Sequence, residues 1–308
     1  MLKFATALFV ITLVAMTAAA QAPTLQILQP DGPNLPSELW YGNVKVKPLR
    51  LRPGTNIPIT IDDADFFVAQ NYIDFLGRFA DPGGLAYWTD QINGPCSGNA
   101  TCIFNRRAAV SSQFFISLEF QETGYYVYRF FAGSLGRQPG YAEFQLDRRQ
   151  VVGGGGLEPA KAAYAEAFVV RPEFLAKYPL SLTPSQFVDA VLATMLAYNG
   201  TNLSAQRSTY IATVTNFGRG VGTRQIIDEA AFENAEFNPA FVLEQYFGYL
   251  RRDKDQGGYL YWLDVLNNRL PNDSSAYRKM VCAFETSAEY QLRFGSTVTQ
   301  NGNCANVP

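Results

Sequence analysis

The sequence predicts an all-α fold, a tandem array of four related helical units, with a short extended, β-like N-terminal arm in front. Three observations carry this. The stretch FVAQNYIDFLGRFADPGGLAYW, Phe67 to Trp88, returns near the end as FVLEQYFGYLRRDKDQGGYLYW, Phe241 to Trp262. Within it, Val68, Tyr72, Phe75 and Leu76 fall at i, i+4, i+7 and i+8, one face of a helix. Both ends of the unit also recur between these copies, and units that cannot bury an apolar face alone are stabilised by stacking on neighbours.

In chain order, residues 1–20 read as a secretory signal: Lys3, an apolar run from Phe4 to Met16, and Ala18-Ala19-Ala20 as the exit, with the cut placed after Ala20. No Cys follows the apolar run to accept a lipid. The expected product is secreted, extracellular or periplasmic. Residues 21–64 form the extended arm. Its alternating runs VKVKPLRLR and NIPITID, split by Pro53-Gly54-Thr55-Asn56, suggest a small hairpin, with Pro48 confining the first run to an edge.

The helical repeat domain spans 65–295, with units at about 67–120, 126–174, 187–237 and 241–290 and a tail at 296–308. The stripe of the first unit returns as Val127, Phe131, Ser134, Leu135, as Val188, Leu192, Met195, Leu196, and as Val242, Tyr246, Tyr249, Leu250. Asp81-Pro82 opens the second helix, since Asp accepts from exposed N–H groups and Pro suits the first turn. That helix carries Leu85, Trp88, Thr89 and Ile92, and a third carries Ile103, Val110, Phe114 and Phe115. Each unit closes on an acid and a ring: Glu119-Phe120, Glu173-Phe174, Glu236-Phe237, Glu289-Tyr290. The second unit holds the glycine run Gly153 to Gly156, and the third is the most degenerate. About twelve helices are expected.

Composition narrows the chemistry. The chain has no His, which removes Ser-His-Asp and Cys-His systems and every His-based metal site. Its formal charge of −2 leaves no electrostatic footprint for nucleic acid, and no segment after the signal is apolar for long enough to span a membrane. The four Cys of an exported chain read as two local disulfides, Cys96 with Cys102 and Cys282 with Cys304, worth about 2 and about 3 kcal/mol by loop entropy. A structural zinc site is the weaker alternative, because the spacings fit no CxxC knuckle.

What remains is carboxylate chemistry, and a structural reading competes with it at every site. A catalytic pair belongs to one cleft, whereas Glu119, Glu173, Glu236 and Glu289 recur at matching places. Arg78, Arg137 and Arg252 recur in parallel, so Arg–Glu ion pairs or helix-end hydrogen bonds are expected. Asp81 and Asp255 read as helix caps. The alternative is calcium, but neither stretch ends in the bidentate Glu of a calcium loop. Trp88 and Trp262 read as core residues rather than a sugar platform, since each lies on an apolar helical stripe. Trp40 lies outside the repeats, as an anchor for the arm or an exposed contact.

Leu76-Gly77-Arg78, Asp81 to Trp88 and the closing Ser117 to Phe120 together resemble the bacterial family called domain of unknown function 4214. FQETGYYVYRFF at Phe120 to Phe131 and FVLEQYFGYLRR at Phe241 to Arg252 extend the likeness, which covers about Phe67 to Gly295. The resemblance implies a helical module of secreted and cell-surface bacterial proteins, with no established catalytic residue. The expectation is therefore a non-enzymatic module for interaction or surface assembly, with no cofactor or bound metal and a protein or surface glycan as partner. The alternatives are an all-α glycan hydrolase using a carboxylate pair, or a calcium-dependent adhesion module.

Overall fold

The computed structural model describes residues 60–271, 273–294, 298–300 and 304, together with the backbone of three short strands nearer the N-terminus. The expected signal peptide and most of the expected arm lie outside the described residues. The strands β1 (Leu25–Leu28), β2 (Glu38–Tyr41) and β3 (Val44–Val46) pair antiparallel in that order, with Leu25 opposite Tyr41 and Leu39 opposite Val46. β3 thus pairs with β2, upstream of it, whereas the sequence suggested a hairpin between VKVKPLRLR and NIPITID. Most of those two runs lies outside the described residues.

The body is all-helical. Its first stretch runs through α1 (Ala64–Asn71), α2 (Pro82–Asn93), α3 (Ala100–Ile116) and α4 (Leu118–Arg129). Next come α5 (Tyr141–Arg148), α6 (Leu157–Phe168), α7 (Pro172–Lys177), α8 (Pro184–Asn199) and α9 (Arg207–Ile227). The last stretch holds α10 (Ala230–Gln245), α11 (Gln256–Asp264), α12 (Ser274–Glu285) and α13 (Ala288–Gln291).

Local chemistry accounts for the boundaries. Asp81 and Asp255 each accept the N–H of the third residue of the helix they open, Gly84 and Gly258, both at 2.7 Å. Ser117 and Ser287 do the same for Phe120 and Tyr290, both at 3.2 Å. Thr183 and Gln186 form a reciprocal capping box at the start of α8. Four helices end in a wider π turn, Tyr72–Leu76 after α1, Phe130–Leu135 after α4, Tyr246–Leu250 after α10 and Val265–Arg269 after α11. The first three hand over to a residue in the left-handed region: Gly77 at φ 66°, Gly136 at 72° and Arg251 at 53°. Glycine takes that conformation without a Cβ clash, whereas Arg251 is held there by an ion pair to Asp74 at 3.0 Å.

These elements share one aromatic-rich core. Phe75 and Tyr249, at matching positions of the two copies of the opening stretch, touch directly with ring centroids 4.9 Å apart. Phe115 packs on Phe75 at 4.2 Å and on Phe241 at 5.6 Å. The first and last thirds of the helical body therefore pack against each other. Gly248 permits this, because a Cβ there would overlap the Phe75 ring.

Three expectations are corrected. Glu236-Phe237 lies inside α10; the ring that starts this helix as Phe120 starts α4 is Phe232, also buried, after Glu229. Leu196 is 48% exposed, because α8 continues as a plain α-helix where its counterparts take a π turn that rotates the next residues inward. α9 breaks at Gly218 (φ 90°, ψ 174°), and with α7 as a separate short helix the count departs from three helices per unit.

Two disulfides, Cys96–Cys102 and Cys282–Cys304, bridge Cα atoms 5.4 and 5.8 Å apart. They fit an oxidising, extracytoplasmic setting. Among the described residues no helix is long and apolar enough to cross a membrane.

Candidate functional site

The recurrent arginines and glutamates meet. Arg78 donates through Nε and Nη2 to the two carboxylate oxygens of Glu119 at 2.5 and 2.8 Å. Arg252 engages Glu289 in the same fork at 2.6 and 3.0 Å, and Arg137 engages Glu173 at 2.7 and 2.6 Å. In each case Nη1 donates to the next backbone carbonyl, of Phe79, Asp253 or Gln138. Each guanidinium also lies over a ring of the preceding π-turn region: Tyr72 at 4.9 Å, Tyr246 at 5.4 Å and Phe131 at 5.1 Å. A planar fork on a carboxylate, stacked on an aromatic face, uses every feature that separates Arg from Lys. Asp81 and Asp255 add a looser charge contact to Arg78 and Arg252 at 3.7 and 3.8 Å.

The cluster on α5 departs from the other two. Its N-cap is Gly140 instead of Asp, and its third residue is Glu143 where the others have Gly84 and Gly258. Glu143 takes two further bonds from Arg137, at 2.9 and 2.7 Å. Seven residues after the cap, α2 carries Trp88 and α11 carries Trp262, but α5 carries Asp147. Asp147 is buried and gripped by Arg171 through two bonds of 2.6 and 2.9 Å, with the Tyr164 hydroxyl donating at 2.8 Å. Beside this group lies a cleft of about 410 Å³, lined by Phe131, Leu135, Leu146 and Phe174, with Glu143 and Glu173 also on its wall.

The electrostatics of the cleft bear on catalysis. The Arg137 hydrogen bonds hold the carboxyls of Glu143 and Glu173 below the usual range. The same two glutamates raise the Arg137 guanidinium further. Glycoside hydrolysis needs one of its two acids kept protonated, and these neighbours push both glutamates the other way.

Three of the acids that are pushed up, Glu236, Glu244 and Glu285, lie in the core. Burial raises Glu285 to about 7 despite Arg107, whose Nε lies 3.2 Å away. Burial also raises Glu244 well above its ordinary value and raises Glu236, which accepts from the Tyr128 hydroxyl at 2.6 Å and from Asn199 at 2.7 Å. Asp74 behaves differently: burial would raise it, but Arg293 and Arg251 outweigh burial and leave it lowered. Among the described residues no group of three or more His, Cys, Asp or Glu side chains is placed to hold a metal ion.

Sequence reasoning missed Glu143, Asp147 and Arg171 as a group, and Asp74 with Arg293. Counting seven residues from each cap would have exposed Asp147 as the departure from Trp88 and Trp262. The Asp74–Arg293 pair carries no such signal, since its partners lie 219 residues apart. A scan of protein-family models found no match to this chain, and searches of curated proteins and of solved structures found none.

Proposed function

We propose that the chain is an exported, non-enzymatic module for interaction or surface assembly, organised as four related helical units behind an extended arm. On this reading it is a divergent relative of the domain of unknown function 4214 family. The observation that carries the reading is the internal pairing of its charged recurrences. Arg78, Arg137 and Arg252 are each committed to a carboxylate, a carbonyl and a ring of their own surroundings. Groups so engaged hold helix ends together and are not free to activate a substrate. The absence of His and the lowered carboxyls of the cleft point the same way.

The test has two arms. The mature chain, immobilised and exposed to culture medium or surface extract, should retain a defined protein or glycan that is absent from a heat-unfolded control. Incubation with a panel of oligosaccharides should release no reducing ends. Turnover that Glu143→Gln abolishes would replace this reading with the hydrolase. A rise in melting temperature in millimolar calcium would replace it with calcium-dependent adhesion.

A further inference from the structure

We propose that the cleft beside α5 is a docking site for an aromatic side chain, tryptophan by size, presented by a partner protein. The inference rests on the interaction-module reading and gives it a specific site.

The protein supplies its own pattern for the occupant. Three ring pairs repeat with nearly one geometry: Tyr72 on Phe114, Tyr246 on Phe284 and Phe131 on Phe168, with centroids 5.0, 5.0 and 5.1 Å apart and planes at 85°, 83° and 85°. Beside the first pair sits an indole from the same chain, Trp88, with its ring 5.6 Å from Phe114. Trp262 holds the matching position on α11, partly buried against the core. Beside the third pair the indole is missing. Asp147 holds the matching position on α5, paired with Arg171 at the wall of the open cleft, with the guanidinium 4.5 Å from the Phe168 ring.

Two further changes open this location and give it polarity. At Gly84 and Gly258 a Cβ would overlap the hydroxyls of Tyr72 and Tyr246. The third pair has Phe131, which lacks that hydroxyl, and the third residue of its helix is Glu143. Losing the hydroxyl and gaining the carboxylate are complementary. Leu146, 61% exposed, lines the cleft from the solvent side. The result is an apolar slot with carboxylates at its wall. An indole matches it, with a broad apolar face for the phenyl and leucine walls and one N–H donor for Glu143 or Glu173.

The test titrates the full mature chain with a fluorinated N-acetyltryptophanamide, followed by fluorine NMR, with N-acetylalaninamide as control. Wild type should bind the indole probe with Kd on the order of 1 mM, as a single ring without its partner would. Leu146→Glu places a charge on the wall from an exposed position, so folding is retained, and should weaken binding at least about tenfold. Asp147→Trp should fill the slot with the chain's own indole and weaken binding to the same extent. If Asp147→Trp fails to fold, Leu146→Glu decides. No binding to wild type, equal binding by both folded variants, or binding of a disaccharide in preference to the indole would overturn the proposal. The titration needs no partner, so its failure removes the aromatic site and leaves the interaction reading to the capture experiment.

Discussion

Replacing Asp74 by Asn should cost this protein a large part of its stability. The Asp74 side chain is 3% exposed and takes three bonds: from Arg251 at 3.0 Å and from Arg293 at 3.0 and 2.9 Å. Arg293 also donates to the carbonyls of Gly248 and Tyr249 at 3.0 and 2.6 Å, so one guanidinium ties the π turn after α1 to the π turn after α10. Asn keeps the volume but removes the buried negative charge that Arg251 and Arg293 share. Breaking a buried pair in this way costs about 3–5 kcal/mol. At about 2–4 °C per kcal/mol for a body of this size, the melting temperature should fall by roughly 6–20 °C.

The pH dependence supplies a second readout. Burial pulls the Asp74 pKa up, Arg293 and Arg251 outweigh it, and the folded value lies below the unfolded one of about 3.9. The carboxylate's stabilisation is therefore fully present above that unfolded value and is lost as pH falls through the folded one. Thermal melts from acid to neutral pH should show a steep acid limb in wild type and a shallower one in Asp74→Asn. A melting temperature within about 2 °C of wild type at neutral pH, or an unchanged acid limb, would refute the reasoning.

Glu285 carries the opposite sign. Its folded value of about 7 lies above the unfolded one, so the folded state keeps a proton that the unfolded chain releases. That contribution is present below about pH 4 and is lost as pH rises to neutrality, on the order of 3 kcal/mol in all. Glu285→Gln should flatten the urea-unfolding free energy across that window, and parallel wild-type and variant curves would count against it. Gly248→Ala should destabilise by about 1–3 kcal/mol through overlap with the buried Phe75 ring, read as a shift in urea midpoint. Serine at both Cys282 and Cys304 should cost about 3 kcal/mol, against about 2 for the Cys96–Cys102 pair, because the loop closed is longer (22 residues against 6). Equal losses in calorimetry would contradict the loop-entropy argument. Arg252→Ala, at a half-exposed fork, should cost no more than about 1 kcal/mol.

Much of the scaffold was legible because its causes are local. The cap at Asp81 needs only the Asp-Pro step and the Gly84 N–H three residues on. Arg78 and Glu119 stand out because both recur at matching intervals. The π turns were not legible, since a π turn keeps the same apolar residues as an α-helix and only rotates the residues beyond it. This is why Leu196 was placed on the buried stripe and turned out exposed. Glu236 was misassigned for a related reason: an acid before a ring recurs in α10 beyond the true helix start, and only backbone geometry distinguishes the two.

The sequence by itself determined that the body is helical, where α2 and α11 start, and that the opening stretch recurs near the end, because periodicity and caps act over a few residues. Only the tertiary structure decided that Phe75 meets Tyr249, that Arg293 closes on Asp74, and that Asp147, at the position that holds an indole in α2 and α11, pairs with Arg171 at the wall of an open cleft. Those outcomes depend on which helix faces meet across the core. Spacing along the chain does not specify this, because similar apolar stripes recur along the sequence and packing must choose among them.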